Sequence, residues 1–237
     1  ILEPICKNTA PSMCIGALVN KNKNELPMVV VPSDHIVQDN NRFLDIVHES
    51  LNIKSNELGM IAIKPAFPSS NYGYIEFTHD SGRNIATRFN EKPDLKLSEK
   101  LIKDGCYWNG GIFISYPSYW LSLFKKYDAS SYELSIKAYE KCDSDEYFTR
   151  INETYFSKIQ SNSIDYSVIE KMQLVQEKII IYKLDTYWSD LGSWETFSDY
   201  YFNNKKSNKF FGNIYENTVT NSIIYSNKKA VIASKID

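Results

Sequence analysis

Two short apolar runs, Pro27-Met-Val-Val-Val-Pro32 and Leu58-Gly-Met-Ile-Ala-Ile63, bracket a segment from Asn41 to Leu51 whose apolar residues recur at helical spacing. Continuous apolar runs of this length fit strands buried on both faces, as parallel sheets require. Parallel strands need a crossover connection, and the amphipathic segment supplies a helix for it. A buried strand-helix-strand unit therefore predicts an α/β sheet. Ahead of it, Thr9 to Val19 predicts a helix with Pro11 in its first turn, where a missing N–H costs little.

After Pro68 the pattern changes. Tyr72 to Phe77 and Arg83 to Phe89 alternate like antiparallel strands around the turn Asp80-Ser-Gly82. A helix over Leu95 to Lys103, a strand over Gly111 to Ser115 and several amphipathic helices up to about Met172 follow. A last buried strand, Val175 to Leu184, runs into Tyr187-Trp-Ser-Asp-Leu-Gly-Ser-Trp194, and a helix then extends to about Phe202. The prediction is a mixed α/β domain with an inserted antiparallel portion over residues 1–202. A polar linker, Asn203 to Lys209, then leads into a separate β element within 203–237.

The composition narrows the function classes. Apolar residues make up 43% and charged residues 24%, the balance of a folded globular chain, and a net charge of −2 offers no basic field for nucleic acid. Cys6, Cys14, Cys106 and Cys142 form no C-x-x-C pair, and His35, His48 and His79 do not cluster. That pattern argues against a disulfide scaffold or a zinc site and fits a reducing compartment. The apolar runs are too short to span a bilayer, so the expectation is a cytoplasmic protein without membrane or nucleic-acid partners.

In open α/β sheets ligands bind beyond the carboxyl ends of the strands. Asp34 follows the first buried strand, and Asp190 follows the last. If those strands are neighbours, the two carboxylates face each other and repel unless a Mg²⁺ sits between them. That ion is commonly held by one or two carboxylates plus substrate phosphates. The alternative is that each aspartate caps the helix after it. Near them in sequence pattern, Glu91 and Asn109 suit sugar hydroxyls, Lys92 suits a phosphate monoester, and Gly73 admits a ligand close to the backbone. Taken singly, the Glu-Lys pair also reads as solvated surface, and Asn before Gly as a turn.

The order ILEPICKNTAPS, VVPSDH, NYGYIEF, FNEKPD, YWNGGIF, SIDYSVIEK and YWSDLGSW resembles the mannose-1-phosphate guanylyltransferases, sugar-nucleotide pyrophosphorylases, from Ile1 to about Phe202. The resemblance implies a glycosyltransferase-A-like, Rossmann-like mixed sheet followed by the start of a C-terminal β segment. It implies that Lys7, Asn8, Thr9 and Ala10 lie against guanine, and that Asp34 and Asp190 hold the divalent metal. Gly73, Glu91 and Asn109 would contact mannose, with Lys92 at its phosphate and Asp165 and Tyr166 at the sugar end. The two tryptophans and Leu191 are expected to pack the Asp190 loop in place. The implied reaction joins GTP and mannose 1-phosphate into GDP-mannose and diphosphate, with catalytic work resting on Asp34, Asp190 and Lys92.

The family also carries an N-terminal strand and a G-G-x-G-x-R loop, whereas this sequence has nine glycines and no G-x-G. Lys7 stands where the family usually has Arg, which removes a bidentate contact. The expectation is a chain lacking its N-terminal strand region, with impaired or no activity in isolation. A homo-oligomer, or a partner supplying that region, stays open. Two alternatives stand beside this reading: a non-catalytic binding or scaffold subunit, and a pyrophosphorylase for another sugar or nucleotide.

Overall fold

The computed structural model describes residues 1–23, 26–202 and 208–236. Its contacts fall into two units: Ile1–Pro32 with Asp39–Thr186, and Ser33–Gln38 with Tyr187–Asp237.

The first unit is built on six strands: β1 (Met28–Val30), β3 (Leu58–Ile63), β4 (Tyr74–Asp80), β5 (Arg83–Asn90), β6 (Tyr107–Ser115) and β9 (Ile179–Leu184). They form one sheet in the order β1-β6-β3-β9-β5-β4. Every residue of β3 is buried, because it lies between β9, which it pairs in parallel, and β6, which it pairs antiparallel. β1 departs from the buried strand predicted there: it is half-buried and, among the described residues, pairs β6 alone, antiparallel. β1 and β3 thus run the same way with β6 between them. β6 brings Trp108, Ile112, Phe113 and Ile114 into the core, an apolar load the three residues of β1 cannot match. Helix α2 (Asn40–Ser50) makes the crossover, capped by Asp39, whose Oδ1 accepts from Arg42 N–H at 3.0 Å.

The antiparallel insert is the hairpin β4–β5, paired from Tyr74↔Asn90 to Asp80↔Arg83. Its turn residues Ser81 and Gly82 both have positive φ, 51° and 81°, the backbone that matches strand twist in a tight hairpin. Against the sheet pack α1 (Thr9–Val19), α4 (Pro117–Tyr127) and α5 (Ala129–Glu140). α1 is apolar on nearly all sides, and Ala10, Met13, Cys14, Ile15, Ala17 and Leu18 are buried, as befits an interior helix. A short hairpin, β7 (Asp143–Ser144) with β8 (Thr149–Arg150), and α6 (Glu153–Phe156) lead to a π turn at Asp165–Ile169 and α7 (Glu170–Leu174). α3 (Leu95–Lys103) follows β5 and is capped by Asp94.

The second unit holds the two-residue ladder β2 (Ile36–Val37) with β10 (Trp188–Ser189), helix α8 (Trp194–Phe202), and two parallel strand pairs. In these pairs β11 (Lys209–Phe211) lies beside β13 (Ile223–Tyr225), and β12 (Ile214–Val219) beside β14 (Val231–Ile236). Residues 203–207 of the predicted linker lie outside the described residues, and Lys209 already begins β11. The four cysteines are free. Among the described residues no helix is long and apolar enough to cross a membrane.

Candidate active site

One cluster of site residues is assembled in the first unit by an irregularity in β6. The ladder between β3 and β6 shifts from Ile61↔Ile112 to Ala62↔Asn109, so Gly110 and Gly111 form a bulge. A side chain at Gly110 would meet Ile61 O at 3.0 Å and Ile63 Cγ1 at 2.9 Å, so the backbone closes there only on glycine. A bulge re-aims the neighbouring side chain. Here that is Asn109: its Oδ1 accepts from Gly111 N–H at 3.0 Å, and its Nδ2 donates to Asp165 Oδ1 at 2.7 Å. The Asn109 N–H donates to Gly73 O at 2.8 Å, which ties the Gly73 loop to the bulge.

That loop is held from behind. The Tyr74 hydroxyl bonds both the N–H and the carbonyl of Ser69, at 3.0 and 3.1 Å, and Ser98 Oγ from α3 donates to Ser69 O at 2.9 Å. Phe67, Tyr72 and Tyr74 pack their rings on buried Trp108. Glu91 then fills the space before Gly73: a Cβ on that glycine would lie 2.5 Å from Glu91 Oε2. Lys92 has φ 44°, a left-handed backbone that non-glycine residues adopt at a cost, held between Glu91 and Pro93.

Asp165 opens the π turn and Glu170 closes it, with the Glu170 N–H donating to Asp165 O. A turn closed between residues five apart sets those residues on one face, and such turns recur at functional sites. Three carboxyl groups consequently act on each other. Burial raises Glu91 above the ordinary carboxylate range and the charge of Asp165 adds to it, while Lys92 offsets part and Glu170 adds a little. Asp165 is raised by burial, against the opposing pull of the Asn109 hydrogen bond and Lys92. Glu170 is raised by burial and by Asp165. Carboxylates accept from hydroxyl groups, and one that keeps its proton donates as well, so this end suits a neutral polyol beside the cationic Lys92. Tyr166, assigned to the sugar end by the resemblance, is 51% exposed. Sequence reasoning misses Glu170, because a regular helix places residues five apart on different faces and nothing in SIDYSVIEK announces a π turn.

If mannose 1-phosphate lies against Gly73, as the resemblance implies, Gly73→Ala weakens its binding by about tenfold. Only the far end of Glu91 must swing aside, so the melting temperature should barely move. Calorimetric titration checks this, and unchanged affinity would remove the Gly73–Glu91 contact from the site.

The segment Lys7–Ala10 lies at the start of α1. Asn8 has φ 68° and its Oδ1 accepts from Thr9 N–H at 2.8 Å. Thr9 Oγ1 accepts from Ile164 N–H at 2.9 Å, Ala10 N–H donates to Asn162 O at 3.1 Å, and Asn162 N–H donates to Lys7 O at 3.2 Å. Lys7 Nζ donates to Ser157 O at 2.8 Å.

A second cluster lies in the second unit. The strands preceding the two aspartates are not neighbours, since β6 and β3 separate β1 from β9. What joins Asp34 to Asp190 is the small ladder instead: Ser189 pairs Ile36 and Trp188 pairs Val37, so both aspartates lie just beyond one end of it. Gln38 N–H donates to Tyr187 O at 3.0 Å and closes the other end. His35 stands edge-on to Trp188 with ring centroids 4.9 Å apart, and its Nδ1 is buried without a partner. Burial lowers the His35 pKa, and the nearby charges of Asp34 and Asp190 oppose that shift, so both carboxylates bear on one imidazole.

Other residues serve as caps at the helices that follow. Asp39 caps α2, and at α8 Ser193 Oγ accepts from Thr196 N–H at 3.1 Å while Thr196 Oγ1 accepts from Ser193 N–H at 3.2 Å. Asp190 Oδ1 accepts from Gly192 N–H at 3.2 Å, and Leu191 takes φ 47° to make that local turn. The tryptophans differ from expectation: Trp188 is 6% exposed but Trp194 is 85% exposed, so only the first packs the loop. Trp188→Ala is expected to cost about 3–5 kcal/mol and Trp194→Ala within about 0.5 kcal/mol, read from urea midpoints. Equal losses would contradict this packing.

Among the described residues no three His, Cys, Asp or Glu side chains form a complete metal cage. Two carboxylates fit a hard cation that keeps waters and takes its remaining oxygens from a phosphate.

The sheet order and the bulged strand define a mixed α/β domain. The chain belongs to the nucleotidyl transferase family, whose profile matches residues 1–207. It is 31% identical over 231 residues to the xanthan biosynthesis protein XanB of Xanthomonas campestris pv. campestris, covering 96% of this chain and 49% of that protein. To a mannose-1-phosphate guanylyltransferase of Escherichia coli it is 32% identical over 238 residues, covering 95% and 50%. The chain thus spans about half the length of the curated relatives it matches. Among solved structures, one titled mannose-1-phosphate geranyltransferase, from Thermus thermophilus, aligns with TM-score 0.84 over 99% of this chain and 68% of that one, at 22% identity. That likeness bears on the fold, and it agrees with a glycosyltransferase-A-like mixed sheet.

Proposed function

We propose that the chain carries the site for joining a guanosine nucleotide to mannose 1-phosphate, giving GDP-mannose and diphosphate, in the cytoplasm. The observation that carries the reading is the cluster of Asn109, Asp165 and Glu91 around Gly73, with Lys92 alongside. In this reading Glu91, Asn109 and Asp165 hold the mannose hydroxyls, with Tyr166 at the rim, and Lys92 meets the sugar phosphate as a point charge. Lys7, Asn8, Thr9 and Ala10 border the guanine. A mannose-1-phosphate guanylyltransferase among the relatives supports the choice of sugar and base.

The reaction forms a bond from the sugar-phosphate oxygen to the α-phosphorus of GTP and breaks the bond to the β-phosphate, releasing diphosphate. The protein supplies position and charge and needs no nucleophile of its own. Asp34 and Asp190 would hold Mg²⁺, which when bound neutralises charge on the phosphate oxygens. His35 and Trp188 brace the ladder that carries both aspartates.

Thermal shift with Mg²⁺ and a panel of GTP, UTP and dTTP, with and without mannose 1-phosphate, tests the assignment. Stabilisation by GTP and by mannose 1-phosphate is the expected result. A shift with UTP or dTTP and none with GTP would overturn the guanosine reading.

A further inference from the structure

We propose that Thr9, which belongs to the segment assigned to the base, is a positioning residue for the sugar end of the site. This rests on the functional reading above. Its hydroxyl oxygen is engaged by the N–H of Ile164, at 2.9 Å, the residue directly before Asp165. The same two segments are joined on either side by Ala10 N–H to Asn162 O and by Asn162 N–H to Lys7 O, at 3.1 and 3.2 Å. Ile164 is buried, so its N–H has no route to water if the threonine oxygen is removed.

The consequence falls on Asp165. That carboxyl is crowded by Glu91 and Glu170, and like charges drive it away from its neighbours when it ionises. Two anchors oppose the drift. One is the side-chain bond from Asn109, at 2.7 Å. The other is the backbone anchor at Ile164, through Thr9. Below the turn the chain is tied again: Asn162 Nδ2 donates to Ser167 Oγ at 3.0 Å, and that hydroxyl donates to Asp128 Oδ2 at 2.9 Å. The π turn is therefore suspended between α1 and the start of α5, and Thr9 sets the height of its first residue. A residue reading only the base has no reason to spend its hydroxyl on this amide.

The test uses Thr9→Val, which keeps shape and removes the acceptor, beside Thr9→Ser, which keeps the acceptor. Dissociation constants for mannose 1-phosphate and for GTP are measured by calorimetry with Mg²⁺. The expected result is mannose 1-phosphate weakened about tenfold in Thr9→Val, GTP weakened about twofold or less, and wild-type behaviour in Thr9→Ser. Thr9→Ala, which introduces no added methyl into the amide's path, carries the same comparison if the valine variant loses its cooperative melt. Sugar-phosphate affinity equal to wild type in the valine or alanine variant, or loss of GTP affinity alone, overturns the inference. If wild type itself binds GTP but no mannose 1-phosphate, the sugar reading beneath it falls, and the inference with it.

Discussion

Asp190→Asn is expected to weaken GDP-mannose binding in the presence of Mg²⁺ by about 10–100-fold and to remove the dependence of that binding on the ion. Asparagine keeps the oxygen that accepts from Gly192 N–H, so the turn with Leu191 at φ 47° survives and the melting temperature should hold. What disappears is one of two negative charges at the end of the β2–β10 ladder. Asp34→Asn should have the same effect, and the double variant should be no worse than either single one, because a site that has lost the ion has little more to lose. Titration calorimetry with Mg²⁺ and with EDTA reads all of this. Undiminished ion dependence in both single variants would remove the metal assignment.

Asp165→Asn is expected to stabilise the fold at neutral pH while abolishing useful affinity for the sugar phosphate. Asp165 is raised above the ordinary carboxylate range by burial. In the unfolded chain it ionises near its ordinary value of about 3.9. Between that value and the raised one the folded form holds a proton the unfolded form has released, so stability falls as pH rises through the window. Above the window the wild type carries the full cost of a half-buried charge beside Glu91 and Glu170. The asparagine variant carries none, and its Oδ1 still accepts from Asn109. The gain is therefore absent well below about pH 4 and grows to a plateau above the folded pKa, worth about 2–4 °C of melting temperature for each kcal/mol. Melting curves across pH, paired with titration of mannose 1-phosphate, decide it. A variant less stable than wild type at neutral pH would contradict the electrostatic account. Stability stored against function in this way is common where a site needs crowded charge.

Local signals carry well into the structure. The helices over Thr9–Val19 and Leu95–Lys103 lie over the residues the sequence predicts for them, and the hairpin turn at Asp80–Gly82 follows from its own residues. What stays hidden is non-local or irregular. Nothing within Pro27–Pro32 reveals that β6 slips between it and β3, since strand order depends on which surfaces bury most. Asn109-Gly-Gly reads as a turn, which predicts a strand only from Gly111, yet β6 begins at Tyr107 and absorbs the glycines as a bulge. Sequence order pairs Asp34 with Asp190 through the wrong strands, because the two-residue ladder that joins them is too short to leave a period. Trp194 looks like packing by its type alone, yet it stands exposed at the first turn of α8. Parallel pairing of the strands after Lys209 is invisible for the same reason as the sheet order, although their strand-like repeats are plain.

The most direct measurement of the central claim is calorimetric titration of this chain with GDP-mannose and, separately, with UDP-glucose, each in Mg²⁺. Saturable one-site binding of GDP-mannose is expected, at least about tenfold tighter than UDP-glucose and weakened by EDTA. Equal or tighter binding of UDP-glucose, or no heat from GDP-mannose at millimolar concentration, would contradict it.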